Sequence, residues 1–223
     1  MARRVFITGG TGYMGSRLIP LLLARGHQVV ALVRPGSERK LPAGCTTVQG
    51  DALDGGSYAS SIGSCDTFVQ LVGVAHPSPA KAREFVSVDQ KSAMEAIRVA
   101  ARAGIQHFVY LSVAHPAPMM HAYIEARSAC EDALRASGLN ATILRPWYVL
   151  GPGHRWPYVL IPFYRIAELI PSKRDSALRL GLVTLPQMVN ALAAAVEDPA
   201  RGVKVAEVPE IRATRLISSH SIT

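Results

Sequence analysis

Two hydrophobic rhythms alternate along the chain. Short runs rich in β-branched, aliphatic and aromatic residues occur at 5–7, 28–33, 46–54 (a strand running into a turn), 67–72, 107–112 and 140–146. Each is too short for a helix and most lack a polar face, the pattern of strands buried on both sides in a parallel sheet. Between them the spacing turns helical. Leu18, Leu21 and Leu22 share one side of residues 16–25, and Ala93, Ile97 and Ala101 repeat at a similar period further on. Residues 121–135 and 185–196 read as two more helices, the second opened by Thr184 as N-cap with Pro186 in its first turn. Gly26 and Gly104 supply helix stops, and Pro20 predicts a tolerated bend inside the first helix. Residues 203–208 add an edge strand before Pro209. Strands alternating with helices imply right-handed crossovers, so the expected fold class is α/β, a doubly wound parallel sheet with helices on both faces.

The first strand stops at Thr8-Gly9-Gly10-Thr11-Gly12-Tyr13-Met14-Gly15, and a helix follows at once. A helix start leaves backbone N–H groups unpaired and carries the positive end of the dipole, so an anion is stabilised there if no side chain intervenes. Gly9 allows the tight turn, Gly12 admits a pyrophosphate to the backbone, and Gly15 lets the helix pack on the strand. A glycine turn that binds nothing is the alternative; the strand before and the helix after favour a dinucleotide. These residues resemble the TGxxGxxG fingerprint of the atypical and extended short-chain dehydrogenases/reductases, a group that includes NAD(P)-binding epimerase/dehydratase-like and NmrA-like proteins. The likeness runs to about Gly153. It implies a Rossmann-type fold and a nicotinamide cofactor held by Gly9, Thr11, Gly12, Tyr13, Met14 and Gly15.

The second strand ends at Arg34, followed by Ser37, Arg39 and Lys40, with no acidic residue before Glu38. NAD-binding proteins place a carboxylate at this point and NADP-binding proteins a cation for the 2′-phosphate, so NADP(H) is the expected cofactor and NAD(H) the second choice. Arg34 as a solvated strand-end cation is the alternative. The resemblance sets Asp51 and Ala52 beside the adenine, and Asp51 as a helix N-cap stands level with that reading. By the switch-point rule, Val72, Gly73 and Val74 pack near the adenosine half. Residues 142–153 resemble the family's "TILRP … V.GPG" segment, which implies that Pro146, Trp147, Tyr148 and Val149 wall the nicotinamide.

Tyr123 and Arg127 are four apart on one helix face and stand where the family has YxxxK, whose tyrosine exchanges a proton with the reacting oxygen while its lysine lowers the tyrosine pKa and holds the ribose. Arginine keeps the charge but not the compact ammonium. A half-buried aromatic with a surface cation, or with Arg127 paired to Glu131, is the competing reading. Ser112 occupies the place of a family hydroxyl that holds a substrate oxygen; a strand-end hydroxyl bonded to backbone accounts for it equally. Asp89 stands where the family often has Asn, which weakens a proton relay through its helix.

Composition narrows the picture. At 223 residues the chain suits one domain: a cofactor-binding core over 1–153 and a small substrate or lid region over 154–223 packed on it. The net charge of +8 is scattered, and its densest group, Arg34, Arg39 and Lys40, falls where a ribose phosphate would lie, so nucleic acid is not the expected partner. No apolar stretch is long enough to span a membrane, and no signal peptide is read at the N-terminus. Cys45, Cys65 and Cys130 lack a metal pattern and read as buried free thiols of a cytoplasmic protein. Residues 157–170 form an apolar segment that suits core packing, a lid, a dimer face or a membrane surface, and 217–223 a tail. The expected function is an NADP(H)-preferring oxidoreductase or epimerase/dehydratase-like enzyme acting on a small, apolar carbonyl or alcohol, as a monomer or homodimer, with Tyr123, Arg127 and Ser112 as catalytic residues. A non-catalytic NADP(H)-binding sensor or scaffold is the alternative.

Overall fold

The computed structural model describes residues 1–152 and 178–214. The apolar segment 157–170 and the tail 217–223 lie outside the described residues. Nine strands are present among them: β1 (Arg4–Thr8), β2 (Gln28–Val33), β3 (Thr46–Gln49), β4 (Thr67–Gln70), β5 (His107–Leu111), β6 (Ala141–Leu144), β7 (Tyr148–Leu150), β8 (Leu182–Thr184) and β9 (Val203–Ala206). Seven of them form one parallel sheet in the order β3-β2-β1-β4-β5-β6-β9. Helices α1 (Gly15–Ala24), α2 (Ala82–Glu84), α3 (Lys91–Arg102), α4 (His121–Ala136), α5 (Leu185–Glu197) and α6 (Val208–Ala213) complete it. The doubly wound, Rossmann-type architecture is the one the alternating rhythms imply.

The continuous apolar runs are explained by the pleat, which sends alternate side chains to opposite faces. Val5 and Ile7 of β1, Val69 of β4, Val109 of β5 and Leu144 of β6 pack under α1 and α5. Their neighbours Phe6, Phe68, Phe108 and Ile143 pack on the other face, under α3 and α4. Register places Phe6 beside Phe68 and Phe68 beside Phe108, so their rings adjoin, with Phe68 and Phe108 stacked at 5.2 Å. With both faces covered, the central strands β1, β4, β5 and β6 need no polar side, whereas the edge strands β3 and β9 are largely exposed.

A buried polar chain ties this second face to a π-helical turn, Phe85–Gln90, that leads into α3. The Thr8 hydroxyl donates to Gln70 Oε1, Gln70 Nε2 donates to Ser92 Oγ at 3.0 Å, and Ser92 Oγ donates to the Asp89 carbonyl at 3.1 Å. Every member is buried, so each needs the next as its partner. Asp89 is held in place by the sheet itself.

Several local expectations are refined. Pro20 stays within α1 on its exposed side, where its missing backbone bond faces water. The two-stranded parallel ribbon β7-β8 and the short helix α6, in which Pro209 takes the first turn, have no counterpart in the sequence reading. Strands β4 and β5 end one or two residues early, at Gln70 and Leu111, which frees the chain beyond them to open a crevice. Cys65 and Cys130 are buried free thiols, but Cys45 is half-buried.

Candidate functional site

A crevice of about 680 Å³ runs across the carboxyl ends of the central strands, where β1 lies between β2 and β4 and the chain changes direction. Gly9, Thr11, Gly12, Tyr13, Met14, Arg34, Asp51, Ala52, Val72, Gly73, Val74, Ser112, Tyr123, Arg127, Pro146, Trp147, Tyr148 and Val149 all line it. Residues chosen from seven separate stretches thus meet at one cavity. Gly15 lies beneath the lining, buried, and Arg39 and Lys40 are exposed in a 3-10 turn and do not line the crevice. Of the basic group, only Arg34 reaches it.

The glycine turn has a steric reason at each position that matters. Gly9 has φ of 71°, and a Cβ there would stand 2.8 Å from the Leu71 carbonyl carbon, so only glycine lets the end of β4 approach. At Gly15 a Cβ would lie 2.5 Å from the Gly9 carbonyl oxygen, which would push α1 off the turn. Helix α1 starts with no side-chain cap and no acidic residue in its first turn. By contrast, α5 has a full capping box between Thr184 and Gln187. An uncapped, carboxylate-free helix start facing a cavity leaves its N–H groups and dipole to an anion.

The adenosine side is more open. Arg34 is exposed at the end of β2 with its side chain beside the crevice. Asp51 accepts the Leu53 N–H at 2.9 Å, a local turn, while Asp54 and not Asp51 caps the next 3-10 helix through Gly56 N–H. The N-cap alternative for Asp51 is therefore replaced by a local turn at the cavity wall.

At the opposite end the side chains form two buried networks. Arg127 is neither a surface cation nor the partner of Glu131. Its Nη2 donates to Asp89 Oδ1 at 2.5 Å and its Nη1 to the Leu111 carbonyl at 2.6 Å, while Asp89 Oδ2 accepts the Val74 N–H at 2.9 Å. The guanidinium lies 5.1 Å from the Tyr123 ring centre and 5.8 Å from that of Tyr110. Phe85 also packs against Tyr123, with ring centres 4.9 Å apart. Burial, which works against the Arg127 charge, is outweighed by Tyr123, Tyr110 and Asp89, which hold it firmly protonated. Burial raises the Asp89 carboxyl against the opposing effect of Arg127. Tyr123 is likewise pushed up by burial, with Arg127 lowering it and Asp89 raising it.

The second network centres on Glu131. Its Oε1 accepts the Ser112 hydroxyl at 2.6 Å and Arg145 Nε at 2.9 Å, and its Oε2 accepts Arg145 Nη2 at 2.5 Å and Arg135 Nη2 at 3.1 Å. Arg145 also donates to Glu207 at 2.9 Å. Burial opposes ionisation of Glu131, but the hydrogen bonds from Arg145 and Ser112 prevail and hold its carboxyl below the usual range. Ser112 is thus bonded to a carboxylate rather than to backbone, and with its proton committed it offers a ligand only lone pairs. Glu131 and Arg145 carry this end without having been singled out as functional, and Gly73, expected near the adenosine half, stands against Arg127 and Asp89. The signal was present: charged residues on the buried face of a helix and at the end of a buried strand.

A family model described as NAD(P)H-binding matches residues 9–158, the span that contributes nearly the whole crevice. The chain belongs to this NAD(P)H-binding family. Within it, the glycine fingerprint and the sheet place the chain among the atypical and extended short-chain dehydrogenases/reductases. A 3-beta-hydroxysteroid dehydrogenase of Mycolicibacterium neoaurum is 32% identical over 113 residues, covering 48% of this chain and 31% of that protein. The ceramide reductase of Caulobacter vibrioides is 26% identical over 213 residues, 93% of this chain and 65% of the reductase. The chain thus spans from about a third to just under two thirds of the length of these relatives. The enzyme WbmH of Bordetella bronchiseptica, solved with NAD+, superposes with a TM-score of 0.69 at 23% identity, over 93% of this chain and 76% of its own.

The crevice fits the family's nicotinamide cofactor on steric and electrostatic grounds. Gly12, where an added Cβ would meet only the Gly9 carbonyl oxygen at 3.1 Å, leaves the backbone bare toward the cavity, and the uncapped α1 supplies donors. The described residues contain no group of His, Cys, Asp and Glu suited to a metal, and no helix long and apolar enough to cross a membrane.

Proposed function

We propose that this protein is an NADP(H)-preferring oxidoreductase of the short-chain dehydrogenase/reductase group acting on a small, apolar carbonyl or alcohol. The observation that carries the reading is the meeting, in one crevice, of the bare glycine turn, Arg34 and the Tyr123–Arg127 face. In this reading residues 1–153 form the cofactor-binding core and 154–223 the substrate-facing region.

Gly9, Gly12 and the start of α1 would hold the pyrophosphate, Asp51 and Ala52 the adenosine, and Arg34 the 2′-phosphate. Pro146, Trp147, Tyr148 and Val149 would wall the nicotinamide and keep water from the reacting carbon. When bound, the cofactor supplies or accepts the hydride. The chain's own part is the proton: Tyr123 lies at the crevice with its ring packed against Phe85 and Arg127. An apolar substrate is supported by two relatives whose names specify a hydroxysteroid and a ceramide, both hydrophobic molecules.

The test is an equilibrium titration with NADPH and NADH followed by tryptophan fluorescence, since Trp147 lines the crevice. NADPH should bind at least about tenfold tighter, and Arg34→Ala should remove that preference, about 1.4 kcal/mol, while leaving NADH unchanged. Oxidation of NADPH by apolar ketones or aldehydes should follow, and Tyr123→Phe should abolish it without weakening cofactor binding. Failure of both cofactors to bind, or full turnover in Tyr123→Phe, would overturn the proposal.

A further inference from the structure

The Asp89–Arg127 pair has chemistry of its own, separate from cofactor recognition. An isolated guanidinium beside a tyrosine favours the phenolate, because the cation stabilises the negative oxygen. Here the cation is not isolated. Asp89 Oδ1 is 2.5 Å from Arg127 Nη2 and both side chains are almost wholly buried, so the charges form a compact dipole whose field falls off faster than that of a single ion. The pair is also held in place. The Leu111 carbonyl fixes the other terminal nitrogen, the Val74 N–H fixes the second carboxylate oxygen, and the Thr8–Gln70–Ser92 chain fixes the backbone of Asp89. Gly73 is shaped to admit it: a Cβ there would stand 2.5 Å from Arg127 Nη2 and 3.1 Å from Asp89 Oδ1.

The charged groups acting on Tyr123 are Arg127 from its own helix and Asp89 from the π-helical turn packed against it. Tyr110, on β5, shares the same guanidinium, and its own burial keeps it neutral. Of the other carboxylates on α4, Glu125 is exposed and Glu131 is turned away to Ser112 and Arg145. Nothing else on these elements supplies Tyr123 with an unbalanced positive charge among the described residues.

We propose that Asp89 neutralises Arg127 so that Tyr123 keeps its hydroxyl proton, and that the site is thereby built to donate a proton to a carbonyl oxygen, the reductive direction. This rests on the function proposed above. In the step, the Tyr123 O–H bond breaks and a new O–H bond forms on the substrate oxygen as its carbonyl π bond opens. The hydride that becomes the new C–H bond comes from the reduced nicotinamide, and the phenolate left on Tyr123 is reprotonated from water. Asp89 is a positioning residue in this scheme; it touches neither substrate nor cofactor.

The experiment is an ultraviolet difference titration of tyrosine ionisation near 295 nm on the unliganded protein. Subtracting Tyr123→Phe from the unmodified chain isolates Tyr123. Half-ionisation above the ordinary tyrosine value of about pH 10 supports the proposal, and half-ionisation below it overturns the proposal. In the Asp89→Asn background, paired with the Asp89→Asn/Tyr123→Phe double variant, the midpoint should fall by about one unit, a tenfold stronger acid. A midpoint unmoved by Asp89→Asn also overturns it, because a merely structural ion pair would change stability and leave the tyrosine where it was. Should Asp89→Asn fail to fold, Asp89→Ser, paired with its own Tyr123→Phe double variant, takes its place, and a midpoint unmoved there overturns the proposal. Neither measurement needs cofactor, so a protein that binds no NADPH would defeat the function proposed above without touching this result.

Discussion

The two ends of the crevice solve opposite problems. At the glycine end the polar groups are backbone N–H groups left open: α1 begins without a cap, without a carboxylate and beside a bare Gly12. At the tyrosine end the charged groups are side chains bonded to one another, Asp89 with Arg127 and Glu131 with Ser112 and Arg145. Open donors suit an anion that arrives and leaves. Closed pairs suit fixed proton chemistry, since a buried network with every member bonded holds one geometry. Changes at the first end should therefore weaken ligand binding and spare the fold, and changes at the second should damage the fold first.

The largest effect that contrast predicts is at Arg127. Arg127→Ala leaves Asp89 fully buried without its cation, which costs about 3–5 kcal/mol when one partner of a buried pair is removed. Urea unfolding followed by circular dichroism measures it, and a loss below about 1 kcal/mol would mean that the pair is far better solvated than its burial implies. Gly12→Val is the matching change at the open end. A Cβ at Gly12 meets a single protein atom at 3.1 Å, so the fold should survive while the added methyl groups fill the phosphate approach. NADPH affinity should drop about a hundredfold, roughly 2.7 kcal/mol, with little change in the unfolding midpoint. Loss of stability without loss of binding would invert the assignment of the two ends.

How much of this was legible in sequence divides along the same line. The glycine end is local: strand, turn and helix are contiguous in residues 4–24, so spacing alone conveys the geometry. The core strands were legible too, because burial on both faces writes itself as uninterrupted apolar runs. The tyrosine end is non-local. Arg127 meets Asp89 across 38 positions, and Arg145 meets Glu207 across 62. Read singly, Asp89 and Arg127 were two departures from a family pattern; folded, they are one pair, each accounting for the other. Ser112 was legible as a crevice residue but not as a donor to Glu131, because a hydroxyl's partner is set by what packs beside it. The ribbon β7-β8 joins residues about 34 apart through three-residue strands, too short for any period to register.

The smallest predicted effect isolates why α1 is left bare. Helix α5 packs on the same sheet face as α1, shares its core cluster, and begins with Thr184 accepting the Gln187 N–H while Gln187 reaches back to the Thr184 N–H. The two helices therefore differ chiefly in what satisfies their first turn. Thr184→Ala removes a cap and should cost about 1 kcal/mol of stability, whether or not cofactor is present. Saturating NADPH should add the same increment to the unmodified and the Thr184→Ala protein, because α5 makes its cap internally and α1 receives its partner from the ligand. A Thr184→Ala penalty that shrinks when NADPH is bound would show the two helix starts to be coupled through the β7-β8 ribbon, which reaches Thr184 at one end and the crevice wall at Tyr148 and Val149 at the other. Equal penalties would leave α1 as the one helix start of the pair whose missing cap is a binding site.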